Sequence, residues 1–588
     1  MLRNHELSNR DLACFLGGAP EFTDKTHAYV SGEKIEKTLV FVWDGSKPTS
    51  VDAGWRLVES ATGKVVTKGM RRIELKPFEI RFEPISLVSP DAKGARVDYR
   101  LETAFRGDQV APDDRRDAFD ISVYPASAPA AAGEVVLFDP RGESAPMLAA
   151  CGVATRKADS LAALVDKGEK ENLPIVVGRR ALDGIGDVDG FGRLSAFVKG
   201  GGRVFVLAQE PEVWKSLGFR FEDSMPRALV NVALEGIDDS DLSFWRGMPL
   251  PLIETDSWTR GPNWGHIQRD GPQGGRGWRW KHTHSLCSEI LLIPQRAGFR
   301  PLVRGDFDHS YSPLLRLTSG KGAATFCTLD FEGRVGTGTT NDCPAATAVA
   351  RATFREFLAD RSTADAPVFV YGEESERLAA SLGLDAKQWN PGDSLRGGVL
   401  IAGGTNVVVQ LKDVKRAVGS DGHALLLRCN GAAAKAGLAP SGGATLLRVA
   451  DADFIRKLPG FADVGPSLLR LRDAAPVDVL HPAAGWKVDG KGAIAVSNDG
   501  RIVFDQIPLY LIADRARAAK DSVCHRNWSQ SQDNQLRRHA LLLGKWGAMP
   551  SEATLARALH LAVEGEESKA NLYWSENLGF DPFLFVYW

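Results

Sequence analysis

The chain has 588 residues, with 72 lysines and arginines against 74 aspartates and glutamates, for a formal charge of -2. That length exceeds what one hydrophobic core serves and predicts roughly three or four domains. The balanced charge gives no net pull toward nucleic acid or an anionic membrane, so neither partner is expected.

The opening MLRNHELSNRDLACFLGGAP lacks the basic-then-apolar pattern of a signal peptide, and no stretch has the length needed to span a bilayer. The expectation is a soluble chain, cytoplasmic as it stands and periplasmic or secreted if it is part of something longer. From 32 to 124 the sequence alternates with the two-residue period of half-buried strands: EKIEKTLVFVWDG, VDAGWRLVES, KVVTKGMRRIELK, EIRFEPISLV, RVDYRLETAF and AFDISVYP. These runs predict an antiparallel β-sandwich over 1–126, immunoglobulin-like in its arithmetic, with Trp43 and Trp55 in its core. The stretch PASAPAAAG, 125–133, reads as a linker.

Short apolar strands then alternate with helices, which implies parallel sheets covered on both faces. A first unit over 134–362 has EVVLFD, a helix through 147–153, LPIVVG, a helix LSAFVKGGG and the strand RVFVLAQ. A second unit over 365–565 repeats the order with APVFVYG, ERLAASLGL, GGVLIAGG, LKDVKRAVGSDG and HALLLRC, an internal duplication at low identity. The late parts match too, since a glycine-bounded turn feeds a strand ending at Asp330 or Asp505 and an amphipathic helix follows each. The first unit is interrupted by a Trp-rich insertion at about 244–311, and the aromatic tail 566–588 is expected to dock on another domain.

The passage NHELSNRDLACFLGGAPEFTDKTHAYVSGEKIEKTLVFVWDG resembles the segment that follows the catalytic barrel in large bacterial glycoside hydrolase family 2 proteins of the β-galactosidase type. The likeness runs on through the sandwich, YSPLLRLTSGKGAATFCTLDFEGR and the closing DPFLFVYW, and so covers most of the chain. It implies a carbohydrate-processing protein whose hydrolysis is carried by two glutamates on a (β/α)8 barrel. Nothing in this sequence supplies the strand–helix alternations of such a barrel. The two α/β units, flavodoxin-like in reading, also resemble the amidotransferase-like trimerisation domain of family 42 β-galactosidases. That resemblance implies a role in assembly, as a homo-oligomer or in association with a catalytic glycoside hydrolase chain, and no cofactor.

Seven cysteines, Cys14, Cys151, Cys287, Cys327, Cys343, Cys429 and Cys524, are scattered with no C-x-x-C pair. This argues against a zinc site or a dense disulfide framework and predicts free, mostly buried thiols. Cys429 stands where a class I glutamine amidotransferase carries its nucleophile, on the turn leaving a strand, and His481 in VDVLHPAAGW is the candidate base. The local sequence Arg428-Cys429-Asn430-Gly431 lacks the upstream glycine of a nucleophile turn, and no acidic partner follows His481, so a buried structural cysteine is the favoured reading. The first unit has Ala208, Gln209 and Glu210 at the matching place, with no thiol.

In the insertion, Trp258, Trp264, Trp278 and Trp280 stand among His266, His282 and His284. Indole faces beside hydrogen-bonding groups suit a sugar ring, so an oligosaccharide or polysaccharide groove that also takes in Asp306 and Asp308 is the functional reading, and aromatic anchoring of a long loop is the structural one. His282, His284, Asp306, Asp308 and His309 are numerous enough for a metal, but their spacing is not diagnostic and no metal is expected. Asp330 and Glu332 are expected on one strand face, too close in sequence to flank a glycosidic bond, and Asp505 is expected to cap the next helix.

Overall fold

The computed structural model describes residues 11–18, 28–94, 96–110, 115–126, 131–183, 188–209, 221–223, 289–292, 299–305, 311–319, 322–329, 331–332, 335–336, 342, 344–359, 366–404, 407–448, 470–509, 535–536, 538–540 and 542–548. Over these residues the chain is multidomain and rich in β-structure.

The first domain is built from β1 (Leu12–Gly18), β2 (Ala28–Val30), β3 (Lys34–Trp43), β4 (Thr49–Glu59), β5 (Val65–Leu75), β6 (Ile80–Val88), β7 (Val97–Arg106) and β8 (Arg116–Tyr124). They form a three-stranded sheet, β1-β3-β6, and a five-stranded sheet, β2-β8-β7-β4-β5. The inward residues of both sheets, among them Leu39, Phe41, Val51, Leu57, Leu101 and Phe105, make one core, as strand alternation requires. Trp43 lies in that core and donates from Nε1 to Lys47 O at 2.8 Å. Trp55 only packs against its margin, because its indole lies over Gly69, where any Cβ would strike the ring. Lys37 is fully buried, its ammonium 3.9 Å from the centroid of Phe119. The edge strands β5 and β6 leave Met70, Ile80, Phe82 and Val88 exposed, beside Phe78 in the turn between them.

The second domain comprises β9 (Gly133–Phe138), α1 (Ser144–Ala150), β10 (Val153–Ala158), α2 (Leu161–Glu171), β11 (Ile175–Val177), α3 (Val188–Lys199), β12 (Arg203–Val206), β13 (Phe221–Asp223), β14 (Glu289–Leu292), β15 (Phe299–Gly305), β16 (Tyr311–Ser319), β17 (Gly322–Cys327) and α4 (Pro344–Leu358). Its strands run in the order β10-β9-β11-β12-β17-β16-β14-β13, parallel from β10 through β17 and antiparallel beyond. Alternate strand residues face opposite sides. Val135, Leu137 and Phe205 pack with α1 and α4, whereas Val136, Val177 and Val206 pack with α2 and α3. The helix expected through 147–153 stops at Ala150, since Gly152 turns the chain at φ +81 and Val153 opens an edge strand. That strand, VATRKA, is exposed at its four central positions and so carries no apolar run for the sequence to reveal. The helix after it, α2, is equally local in origin. Ser160 caps it by accepting from Ala163 N, Leu161, Leu164, Val165 and Gly168 form its buried stripe, and Asn172 ends it in the left-handed region.

The third domain repeats this plan with β18 (Val368–Tyr371), α5 (Glu373–Ser381), β19 (Ala386–Gln388), β20 (Val399–Gly403), α6 (Leu411–Val418), β21 (His423–Leu427), α7 (Asn430–Lys435), β22 (Ser441–Arg448), β23 (Arg470–Val479), β24 (Trp486–Val488), β25 (Ile494–Ser497) and β26 (Ile502–Asp505). The sheet order is β19-β18-β20-β21-β26-β25-β24, with β22 and β23 paired as a separate ribbon. In both domains the second strand in chain order lies outside the first, and the third, fourth and last parallel strands follow on the other side. Val368, Ile401 and Leu425 face α5 and the helical residues of 535–545, while Leu400, Ala402 and Leu426 face α6 and α7.

Candidate functional site

In an open parallel sheet, ligands collect at the carboxyl ends of the strands, so that edge of each α/β domain is the place to look for chemistry. In the second domain the edge is bonded to itself. Asp139, just past β9, accepts from the backbone amides of Glu143, Ser144 and Ala145 at 3.2, 2.9 and 3.0 Å. Its own carboxylate thus occupies the amides that open α1. Ser144 Oγ donates to Glu332 Oε1 at 3.1 Å and accepts from Arg179 N at 2.8 Å, while Arg179 pairs with Glu143.

After β12, the position matching a nucleophile turn holds Gln209, 3 % exposed. Its Nε2 donates to Gly178 O and Leu207 O at 2.8 and 2.7 Å, and its Oε1 accepts from Leu182 N at 3.0 Å. Glu332 lies in a turn past β17 and not on the strand, which corrects the shared-face expectation for Asp330 and Glu332; Asp330 lies outside the described residues.

The third domain has a true strand–turn–helix corner between β21 and α7. Arg428 takes the strained position at φ +51, a conformation that costs a non-glycine residue about 1 to 3 kcal/mol. It is held there by its backbone N–H to Asp505 O at 2.8 Å and by an ion pair with Glu374. Cys429 follows as the N-cap of α7, 5 % exposed, with Sγ 3.5 Å from both Ala402 O and Leu427 O. Burial pushes its thiol up to about 12, against the pull of Arg428. His481 Nε2 instead meets Ser441 Oγ at 2.9 Å on the exposed side of the β22–β23 ribbon. Cys429 and His481 therefore have different partners.

A thiol so held is not a nucleophile at neutral pH. In native protein at pH 8, Cys429 is expected to resist iodoacetamide and to react fully once guanidinium unfolds the chain. Peptide mass spectrometry reads both states, and rapid native labelling would refute the buried-thiol assignment.

Around the corner lies a polar group that sequence reasoning missed. Asn430 Nδ2 donates to Asp478 Oδ2 at 2.6 Å, while Asn430 Oδ1 is buried without a partner among the described residues. Glu374 is the second residue of α5, which follows Gly372, and Gly403 approaches Leu427 so closely that a Cβ there would come within 2.6 Å of its carbonyl oxygen. The available signal was the same RCNG string that drew attention to Cys429, read one residue to either side.

Deeper still, Asp505 Oδ2 accepts from Arg538 Nη2 at 2.6 Å and lies 2.8 Å from His539 Nε2, all three side chains being at most 1 % exposed. Asp505 thus holds the side chains of Arg538 and His539, and not the backbone amides of the helical residues after it, which corrects that expectation. Burial alone would raise its pKa, but Arg538 and His539 outweigh burial and hold the carboxyl well below the usual carboxylate range. Burial and Arg538 lower the pKa of His539. Neighbouring Asp489 is pushed up to about 6 by burial, despite backbone amides from Lys491 and Ile494.

Trp258, Trp264, His266, Trp278, Trp280, His282, His284, Asp306 and Asp308, together with the tail 566–588, lie outside the described residues. Among the described residues no group of three or more His, Cys, Asp or Glu side chains converges as a metal site, and no helix is long and apolar enough to cross a membrane.

No known family model matches the chain, and no curated protein does. Solved structures match over about a fifth of its length. A CARDB domain from Pyrococcus furiosus is 14% identical over 19% of this chain and 87% of its own, with a TM-score of 0.15. A sporulation control protein from Bacillus subtilis is 11% identical over 20% of this chain and 50% of its own, with a TM-score of 0.14. A β-glucosidase from Erythrobacter marinus is 10% identical over 19% of this chain and 15% of its own, also at 0.14.

Proposed function

We propose that this chain is the non-catalytic accessory and assembly portion of a glycoside-hydrolase-like protein of the β-galactosidase type. In this reading it comprises an immunoglobulin-like sandwich and two flavodoxin-like, amidotransferase-like domains. The observation that carries the reading is the state of the two strand-end positions at which such α/β domains do chemistry. One holds Gln209 with its amide consumed by backbone groups, and the other holds Cys429 buried with its sulfur against two carbonyls. Both are built as parts of the scaffold. Support for the flavodoxin-like assignment is the strand order, second-first-third-fourth-fifth, present in both domains. Support for association is the apolar surface along β5 and β6, since Met70 is 77% and Phe78 70% exposed, and grouped exposure of this kind marks interaction surfaces.

The test is a hydrolysis screen of the purified chain against chromogenic galactosides, mannosides and glucuronides, with light scattering on the same sample. A defined oligomer without turnover is the expected result. Reproducible turnover after repurification would overturn the reading, and its loss in Cys429→Ala would assign the activity to that thiol.

A further inference from the structure

We infer that the carboxyl edge of the third domain, between Glu374, Arg428, Asn430 and Asp478, is a binding site for a neutral polyhydroxylated ligand, a sugar or sugar alcohol. The proposal goes beyond the assembly reading and rests on the polar side chains around Cys429, not on Cys429 itself. The four form two bonded pairs, Asp478 with Asn430 and Arg428 with Glu374, and Arg428 and Asn430 flank Cys429 at the corner. The corner is strained at Arg428, and strain of this kind is concentrated where a side chain must be aimed. Gly403 keeps β20 close beneath the corner, where a side chain would strike Leu427.

The chemistry of the group selects the ligand. Glu374 and Asp478 outnumber Arg428, so an anion is disfavoured. The Oδ1 of Asn430 is sealed from solvent and accepts nothing among the described residues, whereas the remaining lone pairs of the two carboxylates call for donors. The guanidinium of Arg428 offers donors and calls for an acceptor. An ammonium ligand would meet the first requirement and fail the second. Adjacent hydroxyls meet both, because each donates and accepts, and a vicinal pair spans a carboxylate or amide on one side and a guanidinium on the other. His481 and Ser441, hydrogen-bonded at 2.9 Å on the ribbon that carries Asp478, add further hydroxyl-compatible partners at the exposed margin.

The experiment uses the full chain, with saturation-transfer NMR and calorimetric titration of galactose, mannose, glucose and sorbitol. Saturable binding of at least one is expected, weakened about ten-fold or more by Asp478→Asn and by Asn430→Leu. Asp478→Asn changes only a partly exposed carboxylate, so it stays informative if Asn430→Leu disturbs α7. The absence of saturable binding to the wild-type chain would overturn the site. So would affinity unchanged in Asp478→Asn, which would move binding elsewhere, for example to 244–311. Neither outcome depends on turnover or on oligomeric state, so the site and the assembly reading stand or fall separately.

Discussion

Asp505→Asn is expected to destabilise the third domain by about 3 to 5 kcal/mol, the usual cost of leaving one partner of a buried ion pair uncompensated. Asp505 lies at the end of β26, and Arg538, 0% exposed, has no route to water once the carboxylate is neutralised. Among the described residues Arg538 Nη1 is buried without a partner, and the other acceptor on the guanidinium, Gln535 Oε1 at 3.0 and 2.8 Å from Nε and Nη2, is a neutral amide that does not replace the carboxylate's charge. Replacing the whole group, Asp505→Leu with Arg538→Met and His539→Leu, is expected to recover most of the loss, because no charge then remains to be solvated. Denaturant unfolding followed by domain-resolved hydrogen exchange measures both, and a single-variant loss under about 1 kcal/mol would show that the pair is not a stability determinant.

The same network sets a pH profile. The carboxyl of Asp505 is depressed in the fold, so its stabilisation is present above the unfolded value of about 3.9 and is lost as pH falls below it. His539 is also depressed, so stability begins to fall once pH drops below its unfolded value of about 6.5. Asp489 acts in the opposite sense: its folded value of about 6 exceeds the unfolded one, so it returns stability as pH falls from there toward 4. Between about pH 6.5 and 4 His539 and Asp489 therefore act in opposite senses, and thermal stability should drop steeply below about pH 4, with that steep limb reduced in Asp505→Asn.

The second large effect is expected at Gly322, the first residue of β17. A Cβ there would collide with the carbonyl of Val198 in the last turn of α3 and reach Gly202 O at 2.6 Å. Both obstacles are backbone: Gly202 O already accepts from Ala323 N at 3.1 Å and Val198 O from Gly201 N at 3.0 Å, so retreat would disturb the strand pairing on one side and the end of α3 on the other. Gly322→Ala should cost about 1 to 3 kcal/mol or more, the range for overpacking in a rigid site. Gly431 in α7 is the internal contrast. Nothing lies within 4 Å of a Cβ there, and Gly431→Ala should be neutral or stabilise by up to about 1 kcal/mol through helix propensity. Equal effects at the two positions, measured by chemical denaturation, would count against the steric argument.

What could be read from the sequence follows from where its signals are local. Runs such as VFVLA and VLIAGG announce strands buried on both faces, and Ser160 with Asn172 would have bounded α2. Edge strands β10 and β19 escaped, because an edge exposed to water needs no apolar pattern: AKQ is exposed throughout. The candidate thiol was legible as a position but not as chemistry. Cys429 sits on the expected turn, and only the fold shows its sulfur pointing back at Ala402, whose carbonyl is 27 residues away in sequence.

Pairings across long separations lay beyond sequence reasoning altogether. Glu374 with Arg428, Asn430 with Asp478, and Asp505 with Arg538 are 54, 48 and 33 residues apart. The sequence by itself determined the multidomain plan, the change from strand-only to strand–helix grammar near 133 and the repetition of that grammar, because periodicity reports which faces avoid water. The tertiary structure decided which polar side chains meet at the strand ends and which charges are sealed from solvent. Those outcomes depend on strand order and register, which bring distant residues together and leave no trace in local composition.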